Sequence, residues 1–310
     1  MKVAALAGGI GAGKFLRGLV RAVPAEDVTV VVNTGDDLVL NGLHVSPDLD
    51  SVTYWLAGVS DRERGWGRGG ESFRAFEELQ RLDPEGGWFA LGDLDLATHQ
   101  MRTRLLAGGA SLLEATEAIC RSFGIASRLL PMSNQTVTTR INTSDGEDLH
   151  FQEYWVARHA RDPVAAIVYA GLDEARPGPG VLEALEDADV VVLCPSNPVV
   201  SIGPILALAG VRDALRARRE TVVGVSPIVG GAPVAGMADR LMPAVGLDVT
   251  AVGAARAYDG LLGAWVIDEA DRALAAEVEG LGVKVAVTDT IMSDDSVSEA
   301  LARTALGLVT

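Results

Sequence analysis

Cysteine, basic charge and histidine are all scarce in this chain, and each shortage removes a class of function. Only Cys120 and Cys194 occur in 310 residues. They cannot form a disulfide framework, and they suit a reducing compartment. Neither sits in a context that marks a nucleophile. Lys and Arg number 26 against 42 Asp and Glu, a net charge of −16. Nonspecific binding to nucleic acid or to an anionic membrane needs a basic surface, so neither partner is expected. No continuous apolar run approaches the ~20 residues of a membrane span. The apolar residues 2–7 run into glycines with no cleavage pattern, so no signal peptide is expected. These absences predict a soluble cytoplasmic protein. The four histidines, His44, His99, His150 and His159, lack H-x-x-H and H-E-x-x-H spacing, and no G-x-S-x-G elbow exists. Zinc hydrolases and serine hydrolases of the usual kinds are thereby set aside.

What is present is apolar and β-branched. The composition is 48% hydrophobic but only 5% aromatic, the Val/Ala/Leu/Gly profile of buried parallel strands covered by helices. Strand-like runs include "VAALA", "VTVVV", "AAIVYAG", "DVVVLCP", "ETVVGV", "DVTAVGAARAY", "AWVID" and "VKVAVT". Alternating with helical stretches, they predict an α/β fold, a Rossmann-like doubly wound and mostly parallel sheet. Residues 56 to about 125 carry mainly helical signals. "TVTTRINTSDGEDLHFQEYWV" then alternates around Ser144-Asp145-Gly146, a hairpin pattern. The division expected is a core of residues 1–55 and 161–310, with 56–160 as an inserted helical plus β-hairpin subdomain over the active site.

Polar residues gather where the apolar runs stop, the edge at which such sheets bind ligands. "AGGIGAGKF" fits G-x-x-x-x-G-K, yet Phe15 stands where a P-loop needs a hydroxyl for magnesium. Three readings stay open: phosphate held by glycine amides at a helix N-terminus, a tight strand-to-helix turn, or a dinucleotide site with Asp36 or Asp37 on the ribose. The last is weakened by the G-x-G-x-G spacing of Gly9, Gly11 and Gly13. Three acidic pairs follow, Asp36/Asp37, Asp48/Asp50 and Asp93/Asp95. Oxygen-rich sets of this kind suit magnesium, and an Asp can also take a proton from an attacking hydroxyl. As single residues they are also ordinary caps. Ser196, Asn197, Ser201 and Gly203, then Ser226, Gly230 and Gly231, follow two later strands and can meet a base, ribose or phosphate; Pro-Ser-Asn-Pro is equally a plain turn.

At this point "NTGDD", "GLHVSPDLDSVTYWLAG", "LGDLDLATHQMRT", "LPMSNQTVTT", "FQEYWV", "PSNPVVSIGPILAL", "SPIVGGAPVAG" and "DTIM" resemble the motifs of the 2-phospho-L-lactate transferase family, in family order over residues 2–308. The family's actinobacterial members are called phosphoenolpyruvate transferases. The resemblance implies a step in making coenzyme F-420. A guanosine-diphosphate-linked lactyl or enolpyruvyl donor would give its phosphorylated acid to the ribityl hydroxyl of the deazaflavin alcohol Fo, releasing GMP, with magnesium as cofactor and a homodimer as the assembly. It implies Asp50 and Asp48 as catalytic, and Asp36, Asp37 and Asp48 at the metal. Asp50, Ala90, Gly92, Asp93, Thr98, His99, Met132 and Ser133 would face the deazaflavin. Gly8, Gly9, Gly11, Lys14, Asn33, Ser196, Asn197, Ser201, Gly203, Ser226, Gly230 and Gly231 would face the nucleotide and its phosphates. The chain departs from the family pattern at Ile10 and Ala12 in the first loop, at Asn134 where Asp is common, and at Met237. The rival is a non-catalytic nucleotide-sugar-binding protein of the gluconeogenesis-factor type. That sister family shares the glycine loop but is not expected to carry "HVSPDLD" or "LGDLDLATH". A nicotinamide-dependent oxidoreductase stands third.

Overall fold

The computed structural model describes residues 1–84 and 87–310. β1 (Val3–Ala7) is buried throughout and turns at Gly8 into α1 (Gly9–Ala22). β2 (Val28–Val32) is followed by a small hairpin of β3 (Leu38–Leu40) and β4 (Leu43–Val45). Four helices come next: α2 (Pro47–Ala57), α3 (Arg74–Leu82), α4 (Asp93–Ala107) and α5 (Leu112–Ser122). After β5 (Arg128–Pro131), the strands β6 (Thr138–Thr143), β7 (Asp148–His150) and β8 (Val164–Ala170) form a separate antiparallel sheet. The second half then alternates. α6 (Val181–Asp187) and β9 (Val190–Leu193) lead to α7 (Ile202–Ala207), α8 (Val211–Ala217) and β10 (Val222–Val225). A two-residue ladder, β11 (Ile228–Val229) with β12 (Ala232–Pro233), precedes α9 (Ala238–Leu241) and α10 (Ala251–Arg256). β13 (Ala264–Asp268), α11 (Ala275–Glu279), β14 (Lys284–Thr288) and α12 (Asp295–Gly307) complete the chain.

The main sheet has seven strands in the order β14-β13-β10-β9-β1-β2-β5, every neighbour parallel. Successive side chains of a strand point to opposite faces. Val3, Ala5 and Ala7 therefore enter one apolar layer, with Phe15, Leu16, Leu19 and Leu301, while Ala4 and Leu6 enter the other, with Ile205, Leu215 and Trp265. Burial on both faces is why these strands read as unbroken apolar runs rather than alternating ones. From β1 the chain builds outward through β2 to β5; later it returns to β9 and builds the opposite way. The reversal lies between β1 and β9, the place at which sheets of this kind take ligands beyond the carboxyl ends of their strands.

The expected fold class is the one observed, but three segments differ. β5 lies inside the range assigned to the insertion, yet it pairs with β2 in the main sheet. Its four residues are too short a run to stand out after the helices α4 and α5. β8, read as a core strand, instead pairs antiparallel with β6. Its exposure alternates along the strand, the mark of a sheet covered on one face only. Residues 248–258, read as a strand, instead contain α10: the Thr250 side chain accepts a hydrogen bond from the Gly253 amide, 2.9 Å, and caps an alanine-rich turn.

Candidate active site

At the reversal point the loops after β1 and β9 pack tightly together. Ser196, just past β9, donates its hydroxyl to the Gly8 carbonyl at 2.8 Å. A Cβ on Gly11 would lie 2.3 Å from the Pro195 carbonyl oxygen, and one on Gly8 would lie 2.6 Å from an Asp48 oxygen and 2.7 Å from the Ser201 Cβ. Gly9 has φ +72, a left-handed conformation that glycine adopts at no steric cost. The glycines of the first loop are thus accounted for by the chain's own contacts. The anion at the start of α1 is the protein's own Asp48, whose carboxyl is raised by burial and only slightly offset by a hydrogen bond from the Gly9 amide.

Asn33, at the end of β2, organises the centre of this region. Its side-chain amide donates to Asp48 Oδ2 at 2.8 Å, to Asp36 Oδ1 at 3.1 Å and to the Val200 carbonyl at 3.2 Å, while its Oδ1 accepts from the Gly35 amide. Gln152, delivered just beyond β7, donates to the other Asp36 oxygen at 3.2 Å. Asp37 Oδ2 accepts from the Ser46 hydroxyl at 2.7 Å and lies 3.1 Å from His44 Nε2. His150 reaches the Asp37 carbonyl with its Nε2 at 3.2 Å, and burial holds its imidazole below the usual histidine range.

Charge is left uncompensated here. Burial first, and then the neighbouring Asp48, push the Asp36 carboxyl well above the usual carboxylate range against the pull of Asn33. Burial likewise pushes Asp48 up to about 7, with Asn33 opposing and Asp37 adding to the rise. Asp37 is also raised by burial, though His44, Ser46 and Arg102 work against it. Asp36 and Asp48 are held by neutral amides alone; no ion pair to either occurs among the described residues. Asp37 Oδ1, Thr34 Oγ1 and Thr139 Oγ1 are buried without a hydrogen-bond partner, and the Thr139 hydroxyl crowds Gly35 at this same centre. Three buried carboxylates and unpartnered hydroxyls give this region oxygen-rich chemistry with surplus negative charge, but among the described residues only Asp50, Asp95 and His99 bring three acidic or imidazole ligand atoms within 4.8 Å of one another. Oxygen donors of this kind are the chemical type a hard divalent cation takes.

Asp50, two residues from Asp48 on α2, belongs to a different network. Arg102 of α4 grips it bidentately: NH1 donates to Oδ2 at 3.0 Å and NH2 to Oδ1. His99 lies between two carboxylates, with Nδ1 3.4 Å from Asp50 and Nε2 3.3 Å from Asp95. The Tyr54 hydroxyl donates to Asp95 at 2.6 Å. Burial lifts the Asp95 carboxyl, but His99, Tyr54 and Arg102 outweigh it and hold it below the usual range. The ligand atoms of Asp50, Asp95 and His99 fall within 4.8 Å of one another. The guanidinium already supplies the cation there.

The remaining sequence candidates divide sharply. Ser201 packs on Gly8 at the reversal point. Asn197 spends its Oδ1 on the amides of Val199 and Val200, shaping the loop. A Cβ on Gly203 would meet the Tyr169 hydroxyl at 2.3 Å, so that glycine admits a close approach. Ser226 donates to the Ile228 carbonyl at 2.8 Å, and the Gly230 amide is held by the Asp271 carboxylate, with Gly231 following at φ +82. Lys14 stands over the Trp55 ring at 5.7 Å. Met132 and Ser133 are buried past β5, where Ser133 bonds within its own turn to Gln135. On the insertion, Ala90 precedes the turn into α4, and Gly92 leaves room for the Glu71 carboxylate. Asp93 accepts from Ser72 and from the Ala75 amide and so caps the next helix over. Thr98 is buried beside Tyr54. Residue-by-residue reading missed Arg102, Gln152, Tyr54 and His44. Asp95, His99, Arg102 and Thr103 fall at i, i+4, i+7 and i+8, one helical face, and that spacing was the available signal.

Comparison with known proteins follows the same lines. A phosphoenolpyruvate transferase of Streptomyces griseus is 49% identical over 99% of this chain and 98% of its own length. One from Mycolicibacterium smegmatis is 42% identical over 99% and 98%. A 2-phospho-L-lactate transferase of Methanosarcina acetivorans is 43% identical over 98% and 97%. Among solved structures, a UPF0052-family protein from Bacillus halodurans superposes with a TM-score of 0.64, covering 99% of this chain and all of that one. At 18% identity it speaks for the fold alone. The profile of the family described as 2-phospho-L-lactate transferase CofD matches residues 3–301, and the chain belongs to that family of transferases.

Proposed function

We propose that the protein transfers a phosphoenolpyruvyl group from a guanosine-diphosphate-linked donor to the ribityl hydroxyl of the deazaflavin alcohol Fo, releasing GMP, in coenzyme F-420 biosynthesis. A 2-phospho-L-lactyl group is the alternative cargo. The enolpyruvyl choice rests on the names of the actinobacterial relatives. The observation that carries the chemistry is the Asp36/Asp48 pair, buried, cation-free and held by amides at the sheet's reversal point. Phosphoryl transfer asks mainly for positioning and charge neutralisation. Asp36, Asp37 and Asp48 would hold magnesium, which when bound supplies positive charge for the donor's phosphates. The acceptor oxygen attacks the acid-bearing phosphorus, the bond to GMP breaks, and the hydroxyl proton leaves to a carboxylate. Of the two catalytic candidates, Asp50 has its charge committed to Arg102, which leaves an oxygen of Asp48 as the better placed acceptor for that proton. Asp50 then serves the acceptor as a fixed hydrogen-bond acceptor, with the α4 side of the site toward the deazaflavin.

The test is mass spectrometry after incubation with Fo, magnesium and each donor. The phosphodiester together with an equal amount of GMP is expected. No product from either donor defeats the proposal. Thermal melting addresses the nucleotide-sugar alternative. Guanosine nucleotides at a hundredfold excess over their dissociation constant should stabilise by about 2.7 kcal/mol, whereas a response to a UDP-sugar alone favours the binding protein.

A further inference from the structure

We infer that Arg102 is a positioning residue for the transfer. Its guanidinium ties α4 to the Asp50 turn of α2 and to the β4 backbone at His44, and it sets the Asp50 carboxylate for the acceptor hydroxyl. The inference deepens the proposed function and rests on it.

Arg102 lies on α4, in the insertion, and is 1% exposed. Its two terminal nitrogens take both oxygens of Asp50, in the first turn of α2. NH1 also lies 3.4 Å from the His44 carbonyl on β4, and the His44 ring lies 3.1 Å from Asp37. A second tie runs in parallel, since the His44 amide donates to Thr103 Oγ1 at 2.8 Å. Asp48 shares the α2 turn with Asp50 but faces Asn33 and Gly8. A shift of α4 therefore reaches Asp50 directly, Asp48 through one helical turn, and Asp37 through His44.

A purely structural contact at this place has a cheaper form. Removing two charges from water costs several kcal/mol per ion, and well-packed apolar residues commonly replace a buried ion pair at no loss of stability. The α2–α4 interface nevertheless carries Asp50 and Tyr54 on one side and Asp95, His99 and Arg102 on the other. What such a layer supplies and an apolar one lacks is direction. The planar fork of arginine fixes both carboxylate oxygens in one plane, and a lysine, a point charge, does not. With both oxygens in the fork, the carboxylate keeps its remaining lone pairs in a defined direction for a further donor, the acceptor hydroxyl.

The experiment compares steady-state transfer by the wild type, Arg102→Lys, Asp50→Asn and the double variant Asp50→Asn/Arg102→Gln. Arg102→Lys keeps the charge, and the double variant removes both charges, so neither leaves an isolated buried ion. The expectation for Arg102→Lys is at least a tenfold loss in kcat/KM for Fo. Its melting shift with GDP and magnesium should stay as in the wild type. Removing Arg102 in the Asp50→Asn background should cost less than a further threefold, because a residue acting through Asp50 has nothing left to act on. Wild-type kinetics in Arg102→Lys overturn the inference, as does a further tenfold loss in the double variant. If Arg102→Lys does not fold, the comparison of Asp50→Asn with the double variant decides alone. A wild type inactive with every donor removes the proposed function and this inference with it; an active wild type with additive losses removes the inference only.

Discussion

Asp48 and Asp50 are two residues apart on the same helical turn, of one type and almost equally buried, yet their surroundings give them opposite energetics. Asp48 has only neutral donors, so its ionised form is costly and its carboxyl is raised to about 7. Asp50 is matched by a guanidinium. Replacing each by Asn should separate the two. Asp48→Asn removes a desolvated charge, and the metal-free protein should melt no lower than the wild type, while transfer falls by about a hundredfold or more as the proposed metal ligand and proton acceptor is lost. Asp50→Asn leaves Arg102 buried without its counter-charge and should destabilise by about 3–5 kcal/mol. Melting in the presence of a chelator, alongside turnover, checks both. Equal melting temperatures for the two variants count against this division. Sequence made the two aspartates look like one pair, since the first turn of a helix explains any Asp within it. Which partner each one finds depends on Asn33 and Arg102, residues 15 and 52 positions away. No local pattern carries that information.

At the scale of elements, the parallel strands were legible because burial on both faces leaves a continuous Val/Ala/Leu run. The hairpin between β6 and β7 was legible from its Asp-Gly turn. What sequence obscured were segments whose partner decides their state. β8 became a core strand by composition and an edge partner of β6 in space. That same hairpin carries Gln152 and His150 to the acidic centre, a role no periodicity reveals. Close helix packing was also hidden in single glycines. α1 crosses α12 so tightly that a Cβ on Gly18 would lie 2.1 Å from the Ser298 backbone carbon. Because the obstacle is backbone, no rotamer change relieves it. Gly18→Ala should therefore destabilise by about 1–3 kcal/mol through overpacking, despite the helix propensity that Ala gains over Gly. A chemical denaturation midpoint unchanged or raised in Gly18→Ala contradicts that contact. The effect should fall on stability and leave nucleotide-induced melting shifts intact, since α12 packs on the flank of the sheet away from the site.

For the whole molecule, a net charge of −16 means that anionic substrates approach against the protein's mean field. The attraction must be local and supplied by what the carboxylate centre binds, so stability, pH and metal become linked. Asp36 and Asp48 have folded carboxyls above the unfolded value of 3.8, so the folded state retains protons that the unfolded state has released. Their stabilising contribution is complete below that value and is lost as pH rises through the folded values, which for Asp48 lie at about 7. His150, lowered by burial, has the opposite sign, but only below about pH 6.5, where an unfolded histidine gains its proton. Asp95 is lowered and acts only in acid. From about pH 6.5 to about pH 8.5, then, the metal-free protein should lose stability as pH rises, by about 1 kcal/mol from Asp48, with Asp36 adding in the same direction. Magnesium binds the ionised carboxylates, so its stabilising effect should grow over the same interval and flatten or reverse the decline. In Asp48→Asn both the decline and the growth should shrink. The measurement is a grid of melting temperatures against pH with chelator or with magnesium. A metal-free melting temperature that climbs through this interval, or a magnesium shift of the same size at both ends, would show that these carboxylates do not form the cation site.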